Sequence, residues 1–239
     1  MSKIVVLAGE GEYESDRTMR PVAEELRDEL RAEVVYRTPD VLADMPDFPR
    51  SSFGDLDDLR DADLLVVYTR FRILPDKEMR RIVDFCTRGG NVLGLRTSTH
   101  AFHYPAGSPW FAWNEGFGRD VLGSPWISHH GHTSTTDVTW FSDDGHPILD
   151  GMPRSFRSPS WLYRNDLQPD CEPILWGTPV DSEGEPTPSP FAWVREGGDQ
   201  RVVYTNMGHP RDFELDAVRR FLINAARWCL DQPYVDGRH

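Results

Sequence analysis

Residues 3–8 (KIVVLA) form an unbroken apolar run of strand-favouring types, the pattern of a strand buried on both faces of a parallel sheet. A polar stretch, 9–17 (GEGEYESDR), follows and reads as a loop. Met19, Val22, Ala23, Leu26 and Leu30 then recur at helical spacing, which places Pro21 in a first turn. Residues 33–37 predict a second strand, and 38–60, rich in Pro and Asp, predict irregular chain. Residues 63–68 (DLLVVY) predict a third buried strand. Residues 75–87 predict a helix with Ile82, Val83 and Cys86 inward, stopped by Gly89-Gly90, and 91–95 (NVLGL) a fourth strand. Two successive strand–helix–strand units imply right-handed crossovers and a doubly wound, mostly parallel sheet flanked by helices, an α/β fold.

The pattern changes at 96–126, where Gly, Pro and aromatic residues crowd together without a period. So many Trp and Phe argue for a structured, aromatic insertion rather than a linker. Residues 136–141, 173–176, 191–194 and 201–205 predict further short strands, and 181–190 (DSEGEPTPSP) a solvated hairpin or loop. Residues 213–230 predict a long amphipathic helix with Leu215, Val218, Phe221, Leu222, Ala225 and Trp228 on one stripe. No internal repeat and no second core emerge, so 1–239 reads as one domain.

A net charge of −13, from 39 acidic and 26 basic residues, argues against binding nucleic acid or an anionic membrane surface. No apolar run approaches the length of a membrane span or a signal-peptide core, so the chain reads as soluble and cytoplasmic. The three cysteines, Cys86, Cys171 and Cys229, are widely spaced and read as free thiols. Oligomeric state is left open.

In an open parallel sheet, ligands bind beyond the carboxyl ends of the strands. That rule selects the stretches 9–17, 69–73, 96–104 and 206–212. In the first, Gly9 and Gly11 mimic a dinucleotide loop, but Glu10, Glu12 and Glu14 would repel a pyrophosphate, so no dinucleotide is expected. Either this is a solvated turn with an acidic helix N-terminus, or Glu12 or Tyr13 faces a polar ligand with Arg17 bracing it. In the third, the nucleophile position of a strand-to-helix elbow holds Arg96, which is no nucleophile. Arg96 reads as a clamp for an oxyanion or hydroxyl, or as an ion-pair partner of the first loop's carboxylates. Ser98 beside His100 is a weaker candidate for an activated pair. His129-His130-Gly131-His132 is the densest imidazole cluster. In extended chain His130 and His132 share a face and offer two ligands to a divalent metal such as Zn²⁺, with no third in view. They serve equally well lining a sugar pocket or in a purely structural role. Near the end, Asn206 and His209 fall at the sheet edge, Asp212 reads as a helix N-cap, and Trp126 is one of several rings able to stack on a sugar.

The stretches GEGEYESDRTMRPVAEEL, GGNVLGLRTSTHAF, WISHHGH, GHPILDGM and VVYTNMGHPRDF, in that order over nearly the whole chain, resemble the ThuA-like (trehalose-utilisation) family of the class I glutamine amidotransferase-like superfamily. The resemblance implies a flavodoxin-like fold and a part in disaccharide catabolism through keto-sugars. The pocket positions it implies are Glu12, Arg96, His100, His130, His132 and His209. GLR here stands where more typical members have GLH, and the amidotransferase cysteine is missing, so glutaminase activity is not implied. The expected function is a carbohydrate-active hydrolase, lyase or isomerase using His130, His209, Arg96 and Glu12, with Tyr13, Arg17, His100, Trp126 and Asn206 binding substrate. The alternative is a sugar- or partner-binding module on the same scaffold.

Overall fold

The computed structural model describes residues 1–41, 50–181, 186–198 and 200–233. Its elements, in chain order, are β1 (Lys3–Gly9), α1 (Ser15–Leu30), β2 (Glu33–Arg37), β3 (Leu64–Thr69), α2 (Asp76–Thr87), β4 (Asn91–Leu95), α3 (Trp113–Gly116), β5 (Ser128–His129), β6 (Thr135–Trp140), β7 (Ser155–Ser158), β8 (Tyr163–Arg164), β9 (Cys171–Val180), β10 (Ser189–Gly197), β11 (Gln200–Thr205) and α4 (Asp216–Cys229). Short 3₁₀ turns occupy Asp57–Arg60, Arg96–His100, Pro147–Leu149 and Pro210–Glu214, and α3 runs on into a π-helical turn at Phe117–Leu122. Parts of the irregular stretch expected at 38–60 and of the loop expected at 181–190 lie outside the described residues.

Among the described residues, nine strands form one sheet in the order β2-β1-β3-β4-β11-β10-β9-β6-β7. The first five are parallel, and the last four extend the sheet antiparallel. Strand order reverses at β1, whose neighbours are β2 and β3, so the β1/β3 crevice is the switch point. The parallel strands read as continuous apolar runs because both faces are covered. Ile4, Val6, Leu64 and Val66 pack toward α1 and α4, while Val5, Leu7, Leu65 and Val67 pack toward α2 and the aromatic insertion. Residues such as Leu26, Phe85 and Phe221 are fully buried, each contributing about 2 kcal/mol of transfer free energy.

The helices follow their apolar stripes with two differences. α1 starts at Ser15, within the stretch expected to be loop, so Pro21 lies in its interior rather than its first turn. The early start is built by Glu10: its backbone carbonyl accepts from Ser15 N (3.0 Å) and its carboxylate from Tyr13 N (2.5 Å). At the other end, Asp212 does not cap α4. It occupies the third position of the preceding 3₁₀ turn, whose N-cap is His209. The short strands β5, β7 and β8 lack a readable period and were not anticipated. Cys86, Cys171 and Cys229 are free, as expected.

Candidate functional site

The turn after β4 sets the geometry. Arg96 adopts φ 40°, a left-handed conformation costly for a side chain with a Cβ, so the elbow is held by its surroundings. Gly208, from the loop after β11, makes that possible: a Cβ there would lie 2.9 Å from Arg96 Cβ and 2.7 Å from the Tyr68 hydroxyl. The Arg96 side chain is fully buried. Its Nη1 donates to the carbonyls of Asn206 (3.1 Å) and Trp161 (3.2 Å), and its Nη2 to the Tyr13 hydroxyl (3.2 Å). The guanidinium carbon lies 4.7, 4.9 and 4.8 Å from the ring centres of Tyr13, Trp161 and Tyr163. Among the described residues no carboxylate pairs with it. The charge is held by carbonyl dipoles, the Tyr13 hydroxyl and ring faces.

The first loop's carboxylates turn to another partner. Buried Glu10 lies 3.2 Å from Arg70 Nε, and Glu12 also pairs with Arg70. The alternative of an Arg96 ion pair with this loop is therefore not realised. Arg70 and the fully buried Arg72, whose Nε donates to Gly9 O (2.6 Å), lock the loops after β1 and β3 together across the switch point. Neither arginine was singled out in the sequence. The signal was there: two arginines (TRFR) directly after an apolar strand.

The ribbon of β5 with β8 brings the histidine cluster in by pairing His129 with Tyr163. Gly131, at φ 49°, then turns the chain back. The imidazoles in contact are consequently His129 and His132, with ring centres 4.4 Å apart, and both lie against Trp161 at 5.9 and 5.2 Å. The extended-chain pairing of His130 with His132 does not apply to this turn. His130 is buried, its N–H donates to Leu162 O (2.9 Å), and Arg164 is the charge it faces. Among the described residues no three His, Cys, Asp or Glu side chains converge as a metal site requires.

His209 stands 6.4 Å from Tyr13, ring centre to ring centre. Its Nδ1 accepts from Arg211 N (3.2 Å). A backbone N–H can only donate, so the neutral ring carries its proton on Nε2 and presents a donor. Asp212 holds this loop: its buried carboxylate accepts from Ser158 Oγ (2.7 Å), Ser160 Oγ (2.5 Å), Gly208 N (2.8 Å) and His209 N (3.0 Å). Asn206 is a strut. Its Oδ1 accepts from Tyr163 N (2.7 Å) and its Nδ2 donates to Trp161 O (3.0 Å), so its amide is engaged by backbone. Arg17 lies on the exposed side of α1, paired with Glu14 and away from Arg96. Among the described residues Ser98 Oγ has no hydrogen-bond partner, whereas His100 Nδ1 contacts Thr99 Oγ1 (3.2 Å), so Ser98 and His100 do not form an activated pair.

The electrostatics are coherent. Burial lowers the pKa of His100, His129 and His209, and Arg96 lowers each further, so all three imidazoles are neutral near pH 7. Burial raises the Tyr13 pKa while Arg96 opposes the rise. Tyr13 is thus a neutral phenol whose oxygen accepts from a cation, leaving its own proton to be donated. The site that forms is an aromatic cage over a buried cation, edged by His129, His132, His209 and Glu12.

A family model described as ThuA, trehalose utilisation, matches residues 3–229. A ThuA-like protein from Parabacteroides merdae superposes with a TM-score of 0.67 at 16% identity, covering 100% of this chain and 92% of that one. One from Bacteroides uniformis gives 0.65 at 16% identity over 95% and 91%. The carbohydrate deacetylase Agd3 gives 0.53 at 12% identity, over 97% of this chain and 32% of that one. These likenesses establish the fold. A search of curated proteins returned no significant match.

Proposed function

Since the chain belongs to the ThuA (trehalose utilisation) family, we propose that it is an enzyme of carbohydrate metabolism whose reaction takes place over the Arg96 cage, with disaccharides and keto-sugars the first substrates to test. The observation that carries this reading is the hydrogen bond from buried, carboxylate-free Arg96 to the Tyr13 hydroxyl at the carboxyl edge of the sheet. A guanidinium behind a phenol strengthens the phenol as a donor to an oxygen that gains negative charge. Arg96 thereby acts on substrate through Tyr13 rather than by touching it.

The reaction this arrangement suits is proton removal beside a carbonyl. Burial, His132 and Arg96 keep His129 neutral, and among the described residues its Nδ1 has no hydrogen-bond partner. It takes the proton from the carbon next to the carbonyl. The C–H electron pair becomes the new carbon–carbon π bond, and the carbonyl π pair moves onto oxygen, giving an enolate that accepts from Tyr13. Return of the proton to the opposite face of the same carbon completes an epimerisation. Where that carbon bears a hydroxyl, passage of the hydroxyl proton to the oxyanion and of the abstracted proton to the former carbonyl carbon completes an isomerisation. Where the next carbon bears a leaving group, the enolate pair reforms the carbonyl and the group departs with its bonding pair, protonated by His129, completing an elimination. His209, presenting Nε2–H, binds a substrate hydroxyl or the same oxyanion. Glu12 at the rim accepts from substrate hydroxyls.

A second reading, a sugar-binding module without turnover, is favoured by one feature: the elbow that would hold a nucleophile holds Arg96. Assays of the full chain with a panel of disaccharides and their keto derivatives separate the two. Turnover is expected with a keto-sugar, and Tyr13→Phe should lower kcat by roughly a hundredfold with KM little changed. Binding of the same sugars without turnover by the parent protein would overturn the enzyme reading and leave the module.

A further inference from the structure

A cleft of about 570 Å³ adjoins the cage and is not accounted for by the reaction above. His100 joins the two: it lines the cleft, and its ring lies 6.1 Å from Tyr163 on the cage side and 5.1 Å from Trp126 on the cleft side. The volume falls in the range of small-molecule sites.

The walls are mostly rings. Phe71, His100, Phe102, His103, Phe111 and Trp126 line it. Phe71 holds φ 51°, a strained backbone for a residue with a Cβ, and so places its ring 4.9 Å from His100 and 5.6 Å from His103. Phe111 and Trp126 are 51% and 40% exposed, a poor use of large apolar surface unless something stacks on it. Of the polar groups beside these rings three are engaged by protein, which leaves Glu115 as the carboxylate on the wall. Both ends of the Asn114 amide bond the Tyr104 backbone (2.7 and 2.9 Å), Thr99 Oγ1 contacts His100 Nδ1 (3.2 Å), and the Arg119 fork holds Asp120 (2.8 and 2.9 Å). A second sugar ring placed here would leave most of its hydroxyls without partners, which costs free energy for every one desolvated. A flat apolar ring leaves none.

We infer that this cleft is an aglycone subsite that takes an aromatic group, so the preferred ligands are glycosides joining a sugar in the cage to an aryl ring in the cleft. The inference rests on the reading that the cage holds a sugar, and narrows its substrate class. Two stacking faces at the usual strength favour an aryl over a methyl aglycone by about tenfold in Kd.

Calorimetric titration of the full chain with phenyl glucoside, methyl glucoside, trehalose and phenol tests it. Phenyl glucoside should bind about tenfold more tightly than methyl glucoside and more tightly than trehalose. The ratio should fall toward parity in Phe111→Ala and in Trp126→Ala, whose exposed side chains are not needed for folding, as an unchanged thermal midpoint would verify. Equal affinities, a preference for trehalose, or a preference that survives both substitutions would overturn the subsite. The two readings separate cleanly. An aryl preference that is lost on substitution, without turnover of any sugar, keeps the subsite and ends the proposed reaction. Turnover without an aryl preference does the reverse.

Discussion

Single residues in this protein are set by what their neighbours leave unpaired. Arg96 is the clearest case, because its charge is buried without a carboxylate and its backbone is strained, and both are sustained by three rings and two carbonyls. His146 shows the same logic away from the site. Its Nδ1 accepts from Ile148 N (3.2 Å), its ring packs 5.2 Å from Trp228, and burial lowers its pKa to about 4 from 6.5. A pKa lowered on folding means that, between those two values, the unfolded chain holds a proton the native chain refuses. Stability is therefore full above pH 6.5 and declines as pH falls toward 4. Urea denaturation at pH 7 and pH 5 should show that decline in the parent and a smaller one in His146→Asn, which keeps an N-cap acceptor but does not titrate. An equal decline in both would remove His146 from the account.

Elements meet here through buried polar struts rather than apolar contacts alone. The turn after β11 carries Gly208 and His209 to the cage, and Asp212 fastens it to the end of β7 and the segment after it by accepting from Ser158 and Ser160, while accepting two backbone N–H groups of the turn itself. Asp212→Ala would leave two hydroxyls and the Gly208 N–H without an acceptor in a fully buried place, the His209 N–H keeping Ser160 Oγ (3.0 Å). The expected loss is about 3 kcal/mol in urea denaturation, with His209 displaced from Tyr13. A loss below about 1 kcal/mol would mean that water replaces the carboxylate. At this scale the reading of the sequence succeeded and failed for identifiable reasons. β1, β3, β4, α2 and α4 announced themselves because burial of a face repeats with the period of the element. α1 began earlier than expected because Glu10 organises its first turn, a contact that leaves no period. β5 and β8, two residues each, carry no pattern at all, yet their pairing puts His129 beside Tyr163.

For the whole molecule, the nine-stranded sheet is shared by the core against α1 and α4 and the core against α2 and the aromatic insertion. We propose on that basis that the chain is one cooperative unit. Thermal unfolding followed by far-UV and near-UV circular dichroism should give a single coincident transition. Its midpoint should rise by a few degrees on going from low salt to about 0.5 M NaCl, because a net charge of −13 repels itself and salt screens that repulsion. Separate transitions, or a midpoint that falls with salt, would overturn each statement in turn. Among the described residues no helix is long and apolar enough to cross a membrane.

What the sequence determined by itself was the set of buried strands and the helices that cover them, and hence which loops stand at the carboxyl edge of the sheet. It also showed that no nucleophile stands at the elbow. Only the tertiary structure decided which side chains meet at that edge. It gave Glu10 and Glu12 to Arg70 instead of Arg96, paired His129 with His132 around Gly131, engaged Asn206 as a strut, and set Trp161 and Tyr163 over the cation. Periodic burial is written locally, because each residue of a strand or helix knows its face from its neighbours in the chain. Contacts between loops are not, because they depend on segments far apart in the chain, 110 residues for Arg96 and Asn206 and more for Tyr13 and His209, that share no repeat and meet only when the sheet is complete.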